Sequence, residues 1–439
     1  MRTSSLFPTR HIARLGEGAL LGFVAGMVTV LYRYLLEQAS SVSEQALTLA
    51  QERVLLALAW LAFLGFLGWV VGYLVRLEPL AAGSGIPHVK GVLSGKLQAV
   101  WWRILLVKFA GGILGAFGGL SLGREGPSVQ IGAMIGKGWG EIRRKPKDIP
   151  FWVTAGGAAG IAASFGAPLA GVLFALEELH RGFSSVVVLA SLTASVVAYA
   201  VSERLFGLGP ILPFGHIRPL GPEAYPVLLL FGILLGVLGA LFNRGLLVVS
   251  DRVSSWRWLR LPFRPAPVFV ASGILGFFLP QVLGGGHRLI AALGCETFPV
   301  QVLLILCGVK FLFTLWSYAS STPGGIFFPL LTVGALLGNI FGVLWGEMVG
   351  TSSIPIDNLI VLGMAGYFSA ITKAPITGSV LIAEITGSFS ALPAIVFVCL
   401  VALGTSNLLR TRPIYDTLLK RLLHTTTNHT PRRPRGPDR

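Results

Sequence analysis

The chain has 439 residues, 53% of them hydrophobic and only 12% charged, with a mean hydropathy of +0.74. It is far more apolar than a soluble protein of average composition, which excludes a water-soluble globular domain and leaves a polytopic membrane protein. The net charge of +16 raises the question of nucleic acid, but its distribution argues for a lipid bilayer as the partner instead.

In chain order, apolar windows fall at 15–40, 54–76, 103–122, 187–206, 225–250, 265–283, 302–318 and 391–409. Each approaches or exceeds the roughly 20 residues that carry an α-helix across a bilayer. Shorter apolar segments broken by Gly and Pro lie between them, and 56 glycines suit close helix packing. Irregular backbone at membrane depth is tolerated only inside protein or beside water. The predicted organisation is an N-terminal segment at 1–14, a first membrane repeat at 15–206, a linker at 207–224, a second repeat at 225–410, a C-terminal helix at 411–424 and a disordered basic tail at 425–439.

Basic residues collect in short loops and at the ends: Arg2, Arg10 and Arg14, then Arg143, Arg144, Lys145 and Lys147, then Arg252, Arg257, Arg260 and Arg264, and last Arg432, Arg433 and Arg435. By the positive-inside rule this places both termini in the cytoplasm. The first apolar stretch is too long for a cleavable signal peptide and lacks a small-residue cleavage site. Cys295, Cys307 and Cys399 form no CxxC pair and read as small core residues. No metal site and no cofactor are expected.

The chain carries an internal duplication. Val107-Lys108-Phe109 recurs 202 positions later as Val309-Lys310-Phe311, and at the same offset Gly123, Pro127, Gly132, Ala133 and Gly136 meet Gly325, Pro329, Gly334, Ala335 and Gly338. Ala167-Pro168, Gly171 and Glu177 return as Ala374-Pro375, Gly378 and Glu384 at an offset of 207. Transporters with inverted repeats place broken helices in matching positions around a binding site near the midplane. Three charges are unmatched: Arg124 and Glu125 correspond to Ile326 and Phe327, and Glu178 to Ile385.

Gly83-Ser84-Gly85-Ile86-Pro87, Gly123 to Pro127 (with Gly126) and Gly324-Gly325-Ile326-Phe327-Phe328-Pro329 share a form, glycines followed by a Pro where a helix starts. Arg412-Pro413-Ile414-Tyr415 adds a Pro and an aromatic hydroxyl. Four helix N-termini are thus predicted at or inside the membrane. Each offers unpaired N–H groups and about half a positive charge, an anion site without a cationic side chain, to which Ser84 and Tyr415 add one O–H donor each. The plain alternative is that such breaks are ordinary caps and kinks. An intramembrane acid is a functional candidate by default: ionised, Glu125 takes the anion's place at a helix end, and protonated it swings away with a proton. Adjacent residues on a helix do not face each other, so Arg124 is expected to bond carbonyls or another acid. Glu177, with its counterpart Glu384, reads as structural. Glu178 reads as a second proton-handling group or, more simply, as an interfacial acid. For Lys108 and Lys310 the sequence leaves two roles open, background positive potential or neutralisation of buried acids.

At these residues the sequence resembles the CLC family of chloride channels and chloride/proton antiporters, in its prokaryotic form without CBS domains. The likeness covers nearly the whole chain through GSGIP at 83–87, GREGP at 123–127, GGIFFP at 324–329 and Tyr415. The resemblance implies an all-α polytopic membrane protein of two inverted-topology repeats, about eighteen helices of uneven length with broken helices meeting mid-membrane, and a homodimer with one pore per subunit. It implies Ser84 and Tyr415 on the chloride, with backbone N–H groups from Ile326 and Phe327, Glu125 as the gating and external proton-transfer glutamate, and Glu178 as the internal one. Gly83, Gly85, Pro87, Gly123, Gly126, Pro127, Gly325 and Pro329 are its motif glycines and prolines. Chloride and protons are then the transported ions. The expected location is the plasma membrane, the inner membrane in a Gram-negative cell.

The chain departs from that pattern at Phe328, where a small Ala is common, and at His88 and Lys90, where acids occur in some relatives. A passive channel of the same fold is the rival mechanism. An intramembrane enzyme is the rival class, but the seven His residues show no HExxH spacing.

Overall fold

The computed structural model describes residues 7–429 except 183, 208, 213, 215–216, 257–258 and 351–353, with the side chains of 7–13 and 425–429 left aside. Among the described residues it forms seventeen α-helices joined by short 3₁₀ and π turns. Sequence reading expected about eighteen. The first half contains α1 (Phe7–Ala50), α2 (Val54–Leu77), α3 (Ile86–Leu93), α4 (Trp101–Phe117), α5 (Glu125–Ile142), α6 (Ile149–Phe165), α7 (Pro168–Phe174) and α8 (Ser185–Phe206). The second contains α9 (Tyr225–Ser255), α10 (Ala266–Phe278), α11 (His287–Cys295), α12 (Val300–Ala319), α13 (Phe327–Val349), α14 (Ile356–Thr372), α15 (Pro375–Thr386), α16 (Leu392–Leu408) and α17 (Ile414–His429).

Helix lengths depart from a simple hydropathy reading in both directions. The windows at 103–122 and 265–283 become helices of only 17 and 13 residues, because Gly118-Gly119 and Pro280 stop them. Conversely α13 is long and apolar enough to cross a bilayer, yet 78% of its most apolar window is buried in protein. It is an internal helix. At the ends, α1 begins at Phe7 rather than near residue 15, and α17 runs to His429, past the predicted boundary at 424. The rest of the predicted basic tail, 430–439, lies outside the described residues. Cys399 is buried and Cys307 half-buried, but Cys295 is exposed at the end of α11, so one of three expected core cysteines is at the surface.

Small residues set the packing. A β-carbon at Gly132 or Gly136 of α5 would run into the carbonyls of Gly156 or Trp152 of α6, and one at Gly334 or Gly338 of α13 would meet those of Gly363 or Leu359 of α14. The same helix pair is therefore built twice, with backbones in direct contact.

The two halves are inverted repeats, tied across a pseudo-twofold axis by bonds that equivalent residues exchange. Gly123 N–H donates to Gly325 O at 2.6 Å and Gly325 N–H to Gly123 O at 2.7 Å, an antiparallel bridge between matching motifs. Glu384 accepts from the amides of Leu169 and Ala170 at the start of α7, while Glu177 accepts from those of Ile376 and Thr377 at the start of α15. Each half thus caps the other's short helix with its own carboxylate, anions meeting helix N-termini.

Gly156→Val should force α5 and α6 apart. Overpacking of a tight contact costs about 1–3 kcal/mol and more where backbone must move, so a lowered unfolding temperature of the detergent-purified protein is expected. An unchanged melting curve would refute this packing account.

Candidate functional site

The loops preceding α3, α5 and α13 are bonded to one another before any helix leaves them. Gly324 N–H donates to Gly83 O at 2.9 Å, beside the Gly123–Gly325 bridge. Gly126 packs on Ser84 so closely that a β-carbon would sit 2.8 Å from the Ser84 carbonyl oxygen. Gly83 and Gly85 have φ of +56° and +85°, conformations that a side chain would strain, and Pro87 and Pro127 sit in the first turns of α3 and α5. Three helix N-termini with their unpaired amides are thereby gathered at one place, and α17 packs against α3.

The predicted side chains lie in this region. Ser84 is 1% exposed, and Ile326, Phe327 and Tyr415 are equally enclosed; the last three share one buried cluster with Ile86. The Tyr415 hydroxyl is buried without a protein hydrogen-bond partner and lies in electrostatic range of Tyr318, Glu178 and Glu125. An unsatisfied buried donor costs roughly 1–3 kcal/mol, so an acceptor at this hydroxyl is favoured. Tyr318 is a member that sequence reasoning missed: its hydroxyl faces Ser84, but it has no counterpart in the other half and no motif marks it. Phe327 is packed by the rings of Phe165, Phe174 and Phe368, with centroids 4.5–6.0 Å away. Phe328, in place of a small residue, stacks on Phe165 and, at 3.4 Å, on His287.

Glu125 is fully buried at the first position of α5. Its carboxylate folds back into the space a β-carbon on Gly123 would take. It faces the amides of Glu125 and Phe328, but neither oxygen makes a hydrogen bond of regular geometry. Arg124 serves another acid, as expected: it donates to Glu37 of α1 at 2.7 Å, and its Nε stays 3.8 Å from Glu125. Arg33 binds the same Glu37. Arg33, Glu37 and Arg124 line a cavity of about 940 Å³ that also includes His287 and Arg288.

Glu178 is 3% exposed, in a π turn, Ala175–His180, that continues α7. It is buried rather than interfacial, and it is paired. Lys90 of α3 reaches Glu178 and Asp416 of α17, each at 2.5 Å, and Arg181 also binds Asp416. Lys90, Arg181, Asp416, His180 and Lys420 line a second cavity of about 430 Å³, which shares no lining residue with the first. Asp416 gave no sequence signal, because its partners lie 326 and 235 positions away in the chain.

Among the described residues, neither paired lysine is bonded to an acid. Lys108 Nζ donates to Gly83 O at 2.7 Å, and Lys310 Nζ to Val282 O and Gly284 O at 2.8 and 2.6 Å. They hold loop carbonyls. The Lys310 partners expose a repeat that sequence reading missed: Gly284-Gly285-Gly286-His287 stands 201 positions after Gly83-Ser84-Gly85-Ile86, with left-handed Gly284 and Gly286 and a helix, α11, directly after.

Inverted halves, interrupted helices meeting in the interior and buried acids beside two separate cavities define a membrane transport protein. Residues 67–407 match the family model described as voltage gated chloride channel, and the chain belongs to this family. It is 35% identical to the H(+)/Cl(-) exchange transporter ClcA of Vibrio parahaemolyticus over 82% of this chain and 79% of that one. With the transporter of the same name from Citrobacter koseri it shares 31% identity over 94% of this chain and 89% of the other. Among solved structures, a slow cyanobacterial Cl-/H+ antiporter superposes with a TM-score of 0.89 at 26% identity, covering 94% of this chain and 99% of that one. A CLC-type fluoride/proton antiporter superposes at 0.78, also at 26% identity, over 92% and 97% of the two chains.

Removing Lys90 leaves two carboxylates without their shared cation, and breaking a buried pair costs about 3–5 kcal/mol. Lys90→Met should lower the unfolding temperature markedly, and adding Glu178→Gln should recover part of the loss in a double-mutant cycle. Strict additivity of the two changes would show that the pair is not coupled.

Proposed function

We propose that this chain is a secondary active transporter exchanging chloride for protons across the membrane. The observation that carries this reading is the pair of half-specific buried acids, Glu125 and Glu178, each beside its own cavity. The exchange activity printed for the relatives and for the cyanobacterial neighbour supports it.

Chloride is held by partial charges: amides at Ile326 and Phe327 where α13 begins, the hydroxyls of Ser84 and Tyr415, and Tyr318 beside Ser84. A direct ammonium or guanidinium contact would bind the ion too tightly for turnover, whereas conduction needs a site that admits and releases it. Lys108 contributes at one remove, because by holding Gly83 O it fixes the loop that carries Ser84. Glu125 competes with chloride when ionised and leaves with a proton when neutral. Glu178 passes protons at the other cavity, with its charge compensated by Lys90, the cation it shares with Asp416.

The cavity at Arg124 then opens to the exterior and that at Lys90 to the cytoplasm, with both termini cytoplasmic. The protein acts as a homodimer with one pore per subunit in the plasma membrane, the inner membrane of a Gram-negative cell. No cofactor takes part.

The test is chloride-driven proton pumping by purified protein in liposomes. A reversal potential that shifts with the pH gradient is expected; one set by chloride alone would make the protein a passive channel. Glu125→Gln should uncouple chloride from protons, and Glu178→Gln should stop proton movement while chloride flux persists. Proton uptake that survives Glu178→Gln would remove that residue from the pathway.

A further inference from the structure

Glu125 has no exposed surface, so protons from the Arg124 cavity need a carrier to reach it or a movement of the side chain. His287 occupies the interval. Its ring lines that cavity, its side chain is 31% exposed, and its Nε2 lies 3.9 Å from Glu125 Oε1. That nitrogen is buried without a hydrogen-bond partner, and so are both Glu125 oxygens. Two unpaired polar groups thus face each other about 1 Å beyond hydrogen-bond length, a gap that a small rotation of the glutamate closes.

The repeat supplies an independent argument. His287 is the first residue of α11, as Ile86 is of α3, and Glu125 begins α5, as Phe327 begins α13. The pseudo-twofold therefore carries the pair His287–Glu125 onto Ile86–Phe327. On one side of the protein both positions titrate, and on the other both are apolar. Phe328 fixes the imidazole by stacking on its face at 15° between planes, and Gly286, with a φ of +105°, lets the chain turn into α11.

The charged and titratable groups around the ring come from every neighbouring element. They are Glu125 and Arg124 of α5, Arg33 and Glu37 of α1, Lys310 of α12 and Arg288 of α11 itself, with Tyr32 of α1 on the same cavity. The guanidinium groups keep their protons throughout. Beside them, His287 combines contact with the cavity, proximity to Glu125 and two ring nitrogens, one a donor and the other an acceptor in the neutral imidazole.

We propose that His287 is the proton-transfer residue between the Arg124 cavity and Glu125. The Nε2–H gives its proton to Glu125 Oε1 while Nδ1 takes one from a hydronium ion in the cavity. The carboxylate becomes neutral, the imidazole ends neutral in its other tautomer, and the hydronium becomes water. The reverse sequence releases the proton.

This rests on Glu125 exchanging protons, so the two ideas need separable readouts. His287→Phe keeps a ring on Phe328 and removes both nitrogens. Chloride-driven proton flux of the full chain in liposomes is measured against pH on the Arg124 side. The expectation is a rate about a hundredfold lower, the lower end of what positioned acid–base groups contribute, with a changed pH profile and an unaltered proton-to-chloride ratio. In His287→Ala, free imidazole added on that side should restore flux, which a purely packing role would not allow. A His287→Phe profile that superimposes on the parent, or an alanine variant that imidazole leaves unrescued, overturns the proposal. If His287→Phe fails to fold, the alanine variant alone decides. Persisting coupled proton flux in Glu125→Gln would overturn instead the underlying role of Glu125.

Discussion

The architecture depends on two hydrogen bonds between Gly123 and Gly325. They lie on the pseudo-twofold axis, join the two copies of one motif and set the depth at which α5 and α13 begin. With the Gly324–Gly83 bond they fix three helix starts by backbone alone, and Gly126 brings Ser84 into direct contact with that junction. A site made from main-chain dipoles needs this kind of support. Partial charges at helix ends fall off within a turn, so amides displaced by a few ångströms no longer act together. Lys108 and Lys310 complete the support from behind by binding carbonyls of the loops, which is why both halves retain them.

The same symmetry explains where chemistry can be placed. Positions that build the scaffold come in pairs: Gly132 with Gly334, Gly156 with Gly363, Glu177 with Glu384, Lys108 with Lys310. Positions that carry exchangeable charge do not. Glu125 is answered by Phe327, Glu178 by Ile385 and His287 by Ile86. A pseudo-symmetric frame distinguishes its two faces only through such differences, and each difference here exchanges an ionisable group for an apolar one. Burial of these acids without full pairing is costly in itself, so the scaffold bears a local penalty at the places where its symmetry is broken.

Much of the fold was legible because its signals are short-range or periodic. Gly and Pro marked the starts of α3, α5, α13 and α17, and the duplication exposed two halves before any coordinates. Glu177 and Glu384 could be set aside as structural from their equivalence alone. What could not be read depends on long-range proximity. Tyr318 beside Ser84, Asp416 under Lys90 and Glu37 holding Arg124 are contacts between distant segments with no periodic trace. The burial of α13 escaped hydropathy because an interior helix and a lipid-facing one are equally apolar. The GGGH segment was missed for another reason: it keeps the glycine spacing of GSGI but lacks the proline, and a search for Gly-then-Pro passes over it.

The exchanged carboxylate caps carry one more consequence. Since α7 is closed by Glu384 and α15 by Glu177, neither half holds the anion that completes its own short helix. A lone half would leave those amides bare inside the membrane and find its missing acid only on a second copy lying the opposite way up. The fused chain therefore preserves the bonding of an antiparallel pair, and severing the linker between the halves should leave two fragments that recognise each other through these glutamates.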